Sequence, residues 1–577
     1  MASATVLEAI PYSQRPSLIM SPLADQLAAR LALSTAQRST LDAALLAGRS
    51  PVDALAREVD EGELARGLAA ILDLPLRDQP ADLAPDPEWL ARVPLRVWAM
   101  ARLLPLAGSP GRLLVATADP LDETGIDAVR VACAGLTPDL AVVPRGLLND
   151  ALREHLGVGA DTVQTLIDGR REVAAHAGEV DLAEAAEDAS IVRLVNQVLQ
   201  EALERRATDV HFEPFEGRFA VRYRIDGVLV EAKLPPEVRR LQAAIVSRLK
   251  ILAGLDIAEK RLPQDGRIKL RLKGRDVDVR VSIIPMLHGE AAVLRLLDRS
   301  AALVGLVGTG MEGRDLSLFQ QALSLPHGIV LVTGPTGSGK TTSLYAGLSR
   351  INTPDLKIVT IEDPVEYHLD GINQIQVDTR TGLTFAKGLR AVLRHDPDVV
   401  LIGEIRDRET AEIAVQASLT GHLVLSTLHT NDAPGAIARL VDMGVEPFLV
   451  ASTLELVIAQ RLVRLLCTRC KSELSGTARD EALVHLPGHD GPLYGPVGCR
   501  HCNGTGFSGR SGIFETMPMS PSLRHAAGQR LGGHELRTVA ERDGLCALRS
   551  DGFRLVRSGK TSLEEVLRNT HDGALGG

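Results

Sequence analysis

Eight consecutive residues, Gly334, Pro335, Thr336, Gly337, Ser338, Gly339, Lys340 and Thr341, fit the spacing G-x-x-x-x-G-K-S/T, and Thr342 follows them. Glycines so placed let backbone N–H groups close around phosphates. The lysine reaches the outer phosphates, and the Thr341 hydroxyl is suited to ligate Mg²⁺. The chemistry expected is binding of ATP with Mg²⁺ and, with a suitable acid nearby, its hydrolysis. IVLVT before the loop reads as a strand and SLYAGL after it as a helix, the context that separates a phosphate loop from an ordinary glycine turn.

The acid has several candidates. DPDVVLIGEIRDRET reads as a buried strand that ends in acid, with Gly403-Glu404 where many nucleotide sites carry Asp, so Glu404 is expected as the metal-side carboxylate. KIVTIEDPVEYHL delivers Glu362, Asp363 and Glu366 at one edge of the sheet, where carboxylates can orient an attacking water or take its proton. Any of these acids could instead cap the next helix. HLVLSTLHTND places His422 and His429 around a strand. Seven residues apart on extended chain, their side chains face opposite ways, so one at most should touch nucleotide. His429 is favoured, because ligands of open α/β sheets bind at the carboxyl ends of the strands.

A second chemistry is carried by cysteine. LVRLLCTRCK and VGCRHCNGTGF contain Cys467, Cys470, Cys499 and Cys502, two CxxC knuckles 28 residues apart. Four thiolates in that pattern close a tetrahedral Zn²⁺ site. Cys133 and Cys546 have no such partners and read as buried thiols.

Strands and helices must hold these residues, and from 313 to 460 they alternate: GIVLVTG, helix, KIVTIED, helix, VVLIGEI, helix, HLVLSTLHT, helix. Such alternation predicts a mostly parallel sheet covered by helices. Upstream, alternating patterns in DVHFEPF, FAVRYRIDGVLVEA, RIKLRLKG, RDVDVRVSIIP and EAAVLRLLD predict a second α/β module at 189–300, followed by a connector at 301–312. The front of the chain reads as a helical bundle at 22–80, with Ser34 and Ser50 as caps, and a small α/β unit at 81–156. The polar, acidic stretch 157–188 reads as a linker. A tetracysteine module at 461–512 and a C-terminal helical domain at 513–577 complete a multidomain α/β chain.

The phosphate loop, TIEDPVEY, LRHDPDVVLIGEIRDRETAEIAVQASLTGH and STLHTND together resemble the secretion ATPase superfamily, whose members include type II secretion ATPases and type IV pilus extension and retraction ATPases. ATDVHFEP, RIDGVL and KRLPQDGRI carry the resemblance upstream, over about residues 189–577. It implies a RecA-like P-loop core preceded by a PAS-like module, working as a hexameric ring in which arginines of a neighbouring module reach the nucleotide. Arg280, Arg295, Arg390 and Arg394 fall where the family places those arginines. The tetracysteine insert is similar to that of type II secretion and pilus extension members, and its short loop to the secretion branch. The resemblance then implies a motor that powers pseudopilus assembly and protein export, with a pilus extension motor as the alternative. The N-terminal helices depart from the Arg-Leu-Gly pattern by which some relatives bind a cyclic dinucleotide, so that ligand is not expected.

Composition bounds the partners. Lys+Arg is 64 against Asp+Glu 73, and only 3% of residues are aromatic. Without a basic stripe interleaved with aromatics, nucleic-acid translocation is the weaker class of function. By count, residues 1–188 hold 16 basic and 28 acidic residues, against 48 and 45 in the remainder. That acidic front region, 1–156 with its linker, is the expected docking segment for the cytoplasmic domain of an inner-membrane platform protein. No apolar run reaches the roughly 18 residues that cross a bilayer, so a cytoplasmic chain held at the inner membrane through partners is expected.

Overall fold

The computed structural model describes residues 24–46, 50–55, 58–108, 112–157, 180–272, 275–298, 304–378 and 380–570. The first residues of the expected helical bundle, most of the 157–188 linker, the start of the 301–312 connector and the C-terminal tail lie outside them. The chain divides into two compact units, one of residues 1–272 and 278–296, the other of 273–277 and 297–577.

The first unit begins with short helices. Ser34 donates its N–H to Gln37 Oε1 at 2.9 Å while the Gln37 N–H donates to Ser34 Oγ at 3.3 Å, a reciprocal cap that starts the helix Thr35–Leu46. Ser50 Oγ accepts from the N–H groups of Val52 at 3.0 Å and Asp53 at 3.3 Å and so caps Pro51–Leu55. A three-stranded sheet follows, β1 (Leu104–Leu106), β2 (Leu114–Thr117) and β3 (Asp139–Val142), with β1 antiparallel and β3 parallel to β2.

The helix Val180–Glu204 takes in the last nine residues of the expected linker, because DLAEAAEDA, acidic but rich in Ala and Glu, propagates a helix that apolar packing nucleates further on. It leads into β4 (Ala207–Phe215), β5 (Arg218–Ile225), β6 (Val228–Glu231), β7 (Gln264–Leu272), β8 (Arg275–Met286) and β9 (Gly289–Asp298), joined in the order β6-β5-β4-β9-β8-β7. Strand alternation sorts the faces. Val210 and Phe212 are buried, and Tyr223 opposite Val210 donates its hydroxyl to Glu201 Oε2 at 2.8 Å on the covering helix. Asp209, His211 and Glu213 belong to the other face.

The second unit is built on β10 (Gly328–Thr333), β11 (Ile358–Glu362), β12 (Asn373–Gln376), β13 (Val399–Ile402), β14 (Leu423–Leu428) and β15 (Leu454–Leu466). The order is β12-β11-β13-β14-β10-β15, all parallel, as the alternation of elements predicts. These strands are short unbroken apolar runs because both faces are covered. Ile329 and Leu331 enter one core with Val400, Ile402 and Val424; Val330 and Val332 enter the other with Leu401, Leu425 and Ile458.

One feature of this sheet was not expected. β15 runs straight through residue 460, where a domain boundary was placed, to Leu466. After two short strands, β16 (Ser472–Glu473) and β17 (Tyr494–Gly495), the long β18 (Phe507–Pro518) returns antiparallel to β15 as the seventh strand. The cysteine segment is thus the elaborated turn of a hairpin belonging to the ATPase sheet. Cys546 also departs from the sequence reading. Cys133 is buried, whereas Cys546 is exposed in the loop before the helix Leu548–Arg557, two positions ahead of its first residue.

Candidate active site and metal centre

All the sequence blocks that suggested nucleotide chemistry converge on the carboxyl ends of β10, β11, β13 and β14. β10 is buried along its whole length and stops at Gly334 with φ +148°, and the helix Lys340–Ile351 starts after Gly339 with φ +88°. A Cβ on Gly334 would stand 2.5 Å from the Gln460 carbonyl, and one on Gly339 2.8 Å from Gln460 Nε2, so β15 closes off the back of the loop and only glycine fits there. Gln460 is itself buried and accepts from Ser343 Oγ at 2.8 Å, which ties the helix after the loop to the same strand.

Lys340 Nζ folds back on the loop, donating to the carbonyls of Gly334 at 2.9 Å and Pro335 at 3.2 Å. Burial lowers its pKa, the Glu404 carboxylate acts in the opposite sense, and the Arg461 guanidinium adds to the lowering. The site therefore presents a desolvated ammonium, whose interaction with phosphate is stronger than in water. Ser338 Oγ is buried without a partner among the described residues, a free donor inside the loop.

Glu404 lies just past β13, its side chain 14% exposed. His429, at the end of β14, brings Nε2 to 3.5 Å from Glu404 Oε2, and Arg406 pairs with Oε1. Thr427 Oγ1 donates to the Gly403 carbonyl at 2.7 Å, and the Ile405 N–H to the Thr427 carbonyl at 3.1 Å, so the strand carrying His429 fixes the backbone that carries Glu404. Thr333 Oγ1 meets Thr430 Oγ1 at 2.7 Å and locks the loop after His429 to the end of β10. His422 stands at the other end of β14, with Nδ1 near the Ala417 carbonyl (2.9 Å) and Thr420 Oγ1 (3.1 Å), where it closes the preceding helix.

Glu362 is the last residue of β11, one strand in from the sheet edge, and is 3% exposed. Its carboxylate accepts from the Tyr345 hydroxyl, from Thr360 Oγ1 at 2.5 Å and from Gln374 Nε2 at 3.3 Å. Burial, then the charge and hydrogen bond of Glu362, push the Tyr345 hydroxyl well above its ordinary pKa, so it stays a donor. Glu366 is partly exposed and Asp363 exposed beyond it. Glu362 is thus held by three donors, and Asp363 is the exposed acid next to it.

The arginines divide. Arg390 and Arg394 are exposed at the helix Phe385–Val392; Arg390 pairs with Glu409 at 2.7 Å, and Arg394 Nη1 donates to the Arg390 carbonyl at 2.7 Å. Those contacts lie on the helical surface and not on the phosphate loop. Arg280 on β8 and Arg295 on β9 belong to the other unit. Two arginines, Arg406 on Glu404 and Arg461 beside the loop, were not singled out from sequence. Arg406 was legible as the second residue after Glu404, the spacing that returns a side chain to the same side of extended chain. Arg461 was not, since its place beside Gly334 depends on the pairing of β10 with β15.

The four cysteine Sγ atoms lie within 4.8 Å of one another. Cys467 to Cys499 is 3.8 Å, Cys470 to Cys502 3.7 Å and Cys499 to Cys502 3.7 Å. A tetrahedron with Zn–S bonds of about 2.3 Å has sulfur–sulfur edges of about 3.8 Å, so the residues fit that ion. Backbone N–H groups point at the sulfurs: Gly498 at Cys470 (3.3 Å), Cys499 at Cys502 (3.1 Å) and Gly506 at Cys502 (3.2 Å). Burial opposes ionisation of Cys502, but those N–H groups and neighbouring thiols bring its pKa down to about 7. His501 Nδ1 lies 3.4 Å from Cys467 Sγ, a neighbour the CxxC spacing does not reveal.

Residues 184–568 match the family model described as Type II/IV secretion system protein, and residues 72–161 match the MshEN domain. The chain is similar to Type II secretion system protein E of Xanthomonas campestris pv. campestris, 45% identical over 525 residues that make up 89% of this chain and 91% of the relative. It is 50% identical to Type II secretion system ATPase E of Vibrio cholerae over 68% of this chain and 78% of that one. With Type IV pilus assembly ATPase PilB of Myxococcus xanthus it shares 43% identity over 85% of this chain and 88% of the relative.

Proposed function

The chain belongs to the type II/IV secretion system protein family and is an ATPase, and from that premise we propose that it works as a hexamer that turns ATP hydrolysis into pseudopilus assembly and export by a type II secretion system. The observation that carries the ATPase part is the convergence of Lys340, Glu404, Arg406 and His429 around one glycine loop at the carboxyl ends of a parallel sheet. ATP with Mg²⁺ is held by the backbone of Gly334 to Thr342, by Lys340 and by Thr341, with Glu404 on the metal side. Glu362 is clamped, so it acts by holding the end of β11 in place, and Glu366, four residues on, is the other acid assigned to orient the water. His429 keeps Glu404 in register and senses the outer phosphate.

Arg280 and Arg295 serve the nucleotide of a neighbouring copy, which makes turnover depend on assembly. Arg390 and Arg394 are assigned to the same subunit interface, being exposed on the ATPase unit. Zn²⁺ sits in the four-cysteine turn as a structural ion. The N-terminal region docks on the cytoplasmic domain of an inner-membrane platform protein; among the described residues no helix is long and apolar enough to cross a membrane, and attachment through a partner is the route this reading requires. A type IV pilus extension motor is the second reading, favoured by the PilB similarity; the short loop between the cysteine pairs and the length of match to the Xanthomonas relative favour secretion.

Glu404→Gln tests the chemistry. The amide keeps the shape but loses the charge opposite Mg²⁺, so ATP affinity should stay within about threefold while turnover falls on the order of 10²–10³-fold, the usual cost of one electrostatic partner of the transition state. Equal loss of affinity and turnover would contradict the assignment of Glu404 to hydrolysis.

A further inference from the structure

Asp209 is flanked by arginines. It pairs across the sheet with Arg295 on β9 and with Arg224 on β5. Its side chain is 6% exposed, whereas that of Arg295 is 55% exposed. Oδ1 accepts from Arg295 Nε at 2.9 Å; Oδ2 accepts from Thr208 Oγ1 at 2.8 Å and lies 3.8 Å from Arg224 Nε. The carboxylate is therefore fixed by its own strand and grips Arg295 by the inner nitrogen of the guanidinium. That mode leaves the outer Nη edge available as a fork for a second oxyanion, and no partner for either Nη of Arg295 is recorded among the described residues.

A bidentate ion pair would hold two nitrogens of the guanidinium on the acid, the arrangement that gives the strongest pairing. Here the buried acid takes only the inner nitrogen and the exposed edge remains. We propose that Asp209 is a positioning residue that presents the Nη edge of Arg295 to the ATP phosphates held by a second copy of the chain. This rests on the reading in which Arg295 acts in trans. The constraint matters because a free arginine loses rotamer entropy when it engages phosphate, and the buried carboxylate removes that freedom beforehand.

The test is steady-state hydrolysis by the assembled full-length chain, with ATP affinity measured in parallel, for Asp209→Asn, Arg295→Ala and the double variant. Asp209→Asn is expected to lower kcat about tenfold or more with KM within about twofold, the pattern of a lost interaction made only in the transition state. In the Arg295→Ala background it should cause no further loss. If Asp209→Asn does not fold, Asp209→Glu gives the same reading, since glutamate keeps the charge and the acceptor but moves the carboxylate by one methylene and so shifts the grip on Nε, and kcat should again fall. A normal kcat in Asp209→Asn or Asp209→Glu while Arg295→Ala is impaired overturns the inference and leaves the trans reading standing, as does an equal further loss in the double variant. A normal kcat in Arg295→Ala overturns both.

Discussion

Lys340→Ala removes ATP turnover, with a fall of at least about 10²–10³-fold expected from losing one charged donor to the transferred phosphate. The structure says why no neighbour substitutes. Lys340 Nζ already occupies the mouth of the loop, bound to the carbonyls of Gly334 and Pro335, and the next cation, Arg461, is committed to the Gln460 carbonyl and to Asn431 at 3.1 Å. Losing the ammonium leaves two loop carbonyls facing incoming phosphate with nothing to offset them, so triphosphate affinity should fall as well. A purified variant with normal turnover in a contamination-controlled assay would place hydrolysis elsewhere.

Removing the metal should have an effect of comparable size on the fold. Structural zinc contributes on the order of 10–16 kcal/mol in small modules, more than the hairpin turn it closes can supply by packing. Natively purified chain should carry about one zinc per subunit. Stripping it with a chelator, or Cys470→Ser, should expose 467–506 to protease while the sheet from β10 to β14 survives. Because β15 and β18 are the arms of that turn, the damage should then spread along them, and since β15 backs the phosphate loop through Gln460 it should slow hydrolysis. Acid should release the ion, since protons compete for the thiolates as pH falls. Zinc-free protein in which the turn resists protease would remove the claim.

How much of this was legible in the sequence depends on how local each device is. The phosphate loop, the acid after β13 and the CxxC pairs are contiguous motifs whose chemistry follows from spacing, and the parallel sheet follows from alternating apolar runs. Glu362 was legible as an acid at a strand end, but its clamping was not, because Tyr345 and Gln374 come from elements on either side of it in the chain. The return of β18 to the ATPase sheet was hidden by the intervening cysteine turn, whose composition reads as a separate module. The start of the helix at Val180 was masked by acidic residues that resemble a linker. Asp209 and Arg295 are 86 positions apart, and only the pairing of β4 with β9 makes them neighbours.

In the proposed ring each ATP site is completed by an adjacent copy, and mixing two dead variants shows whether it is. Lys340→Ala lacks a working loop but keeps Arg295; Arg295→Ala keeps the loop but lacks the arginine. Each alone should be nearly inactive. Co-assembled in equal amounts, a site works when an Arg295→Ala subunit meets a Lys340→Ala neighbour, which random assortment in a closed ring makes about a quarter of all sites, so about a quarter of wild-type turnover should return. Turnover in the mixture no higher than the sum of the separate variants would mean that each copy completes its own site.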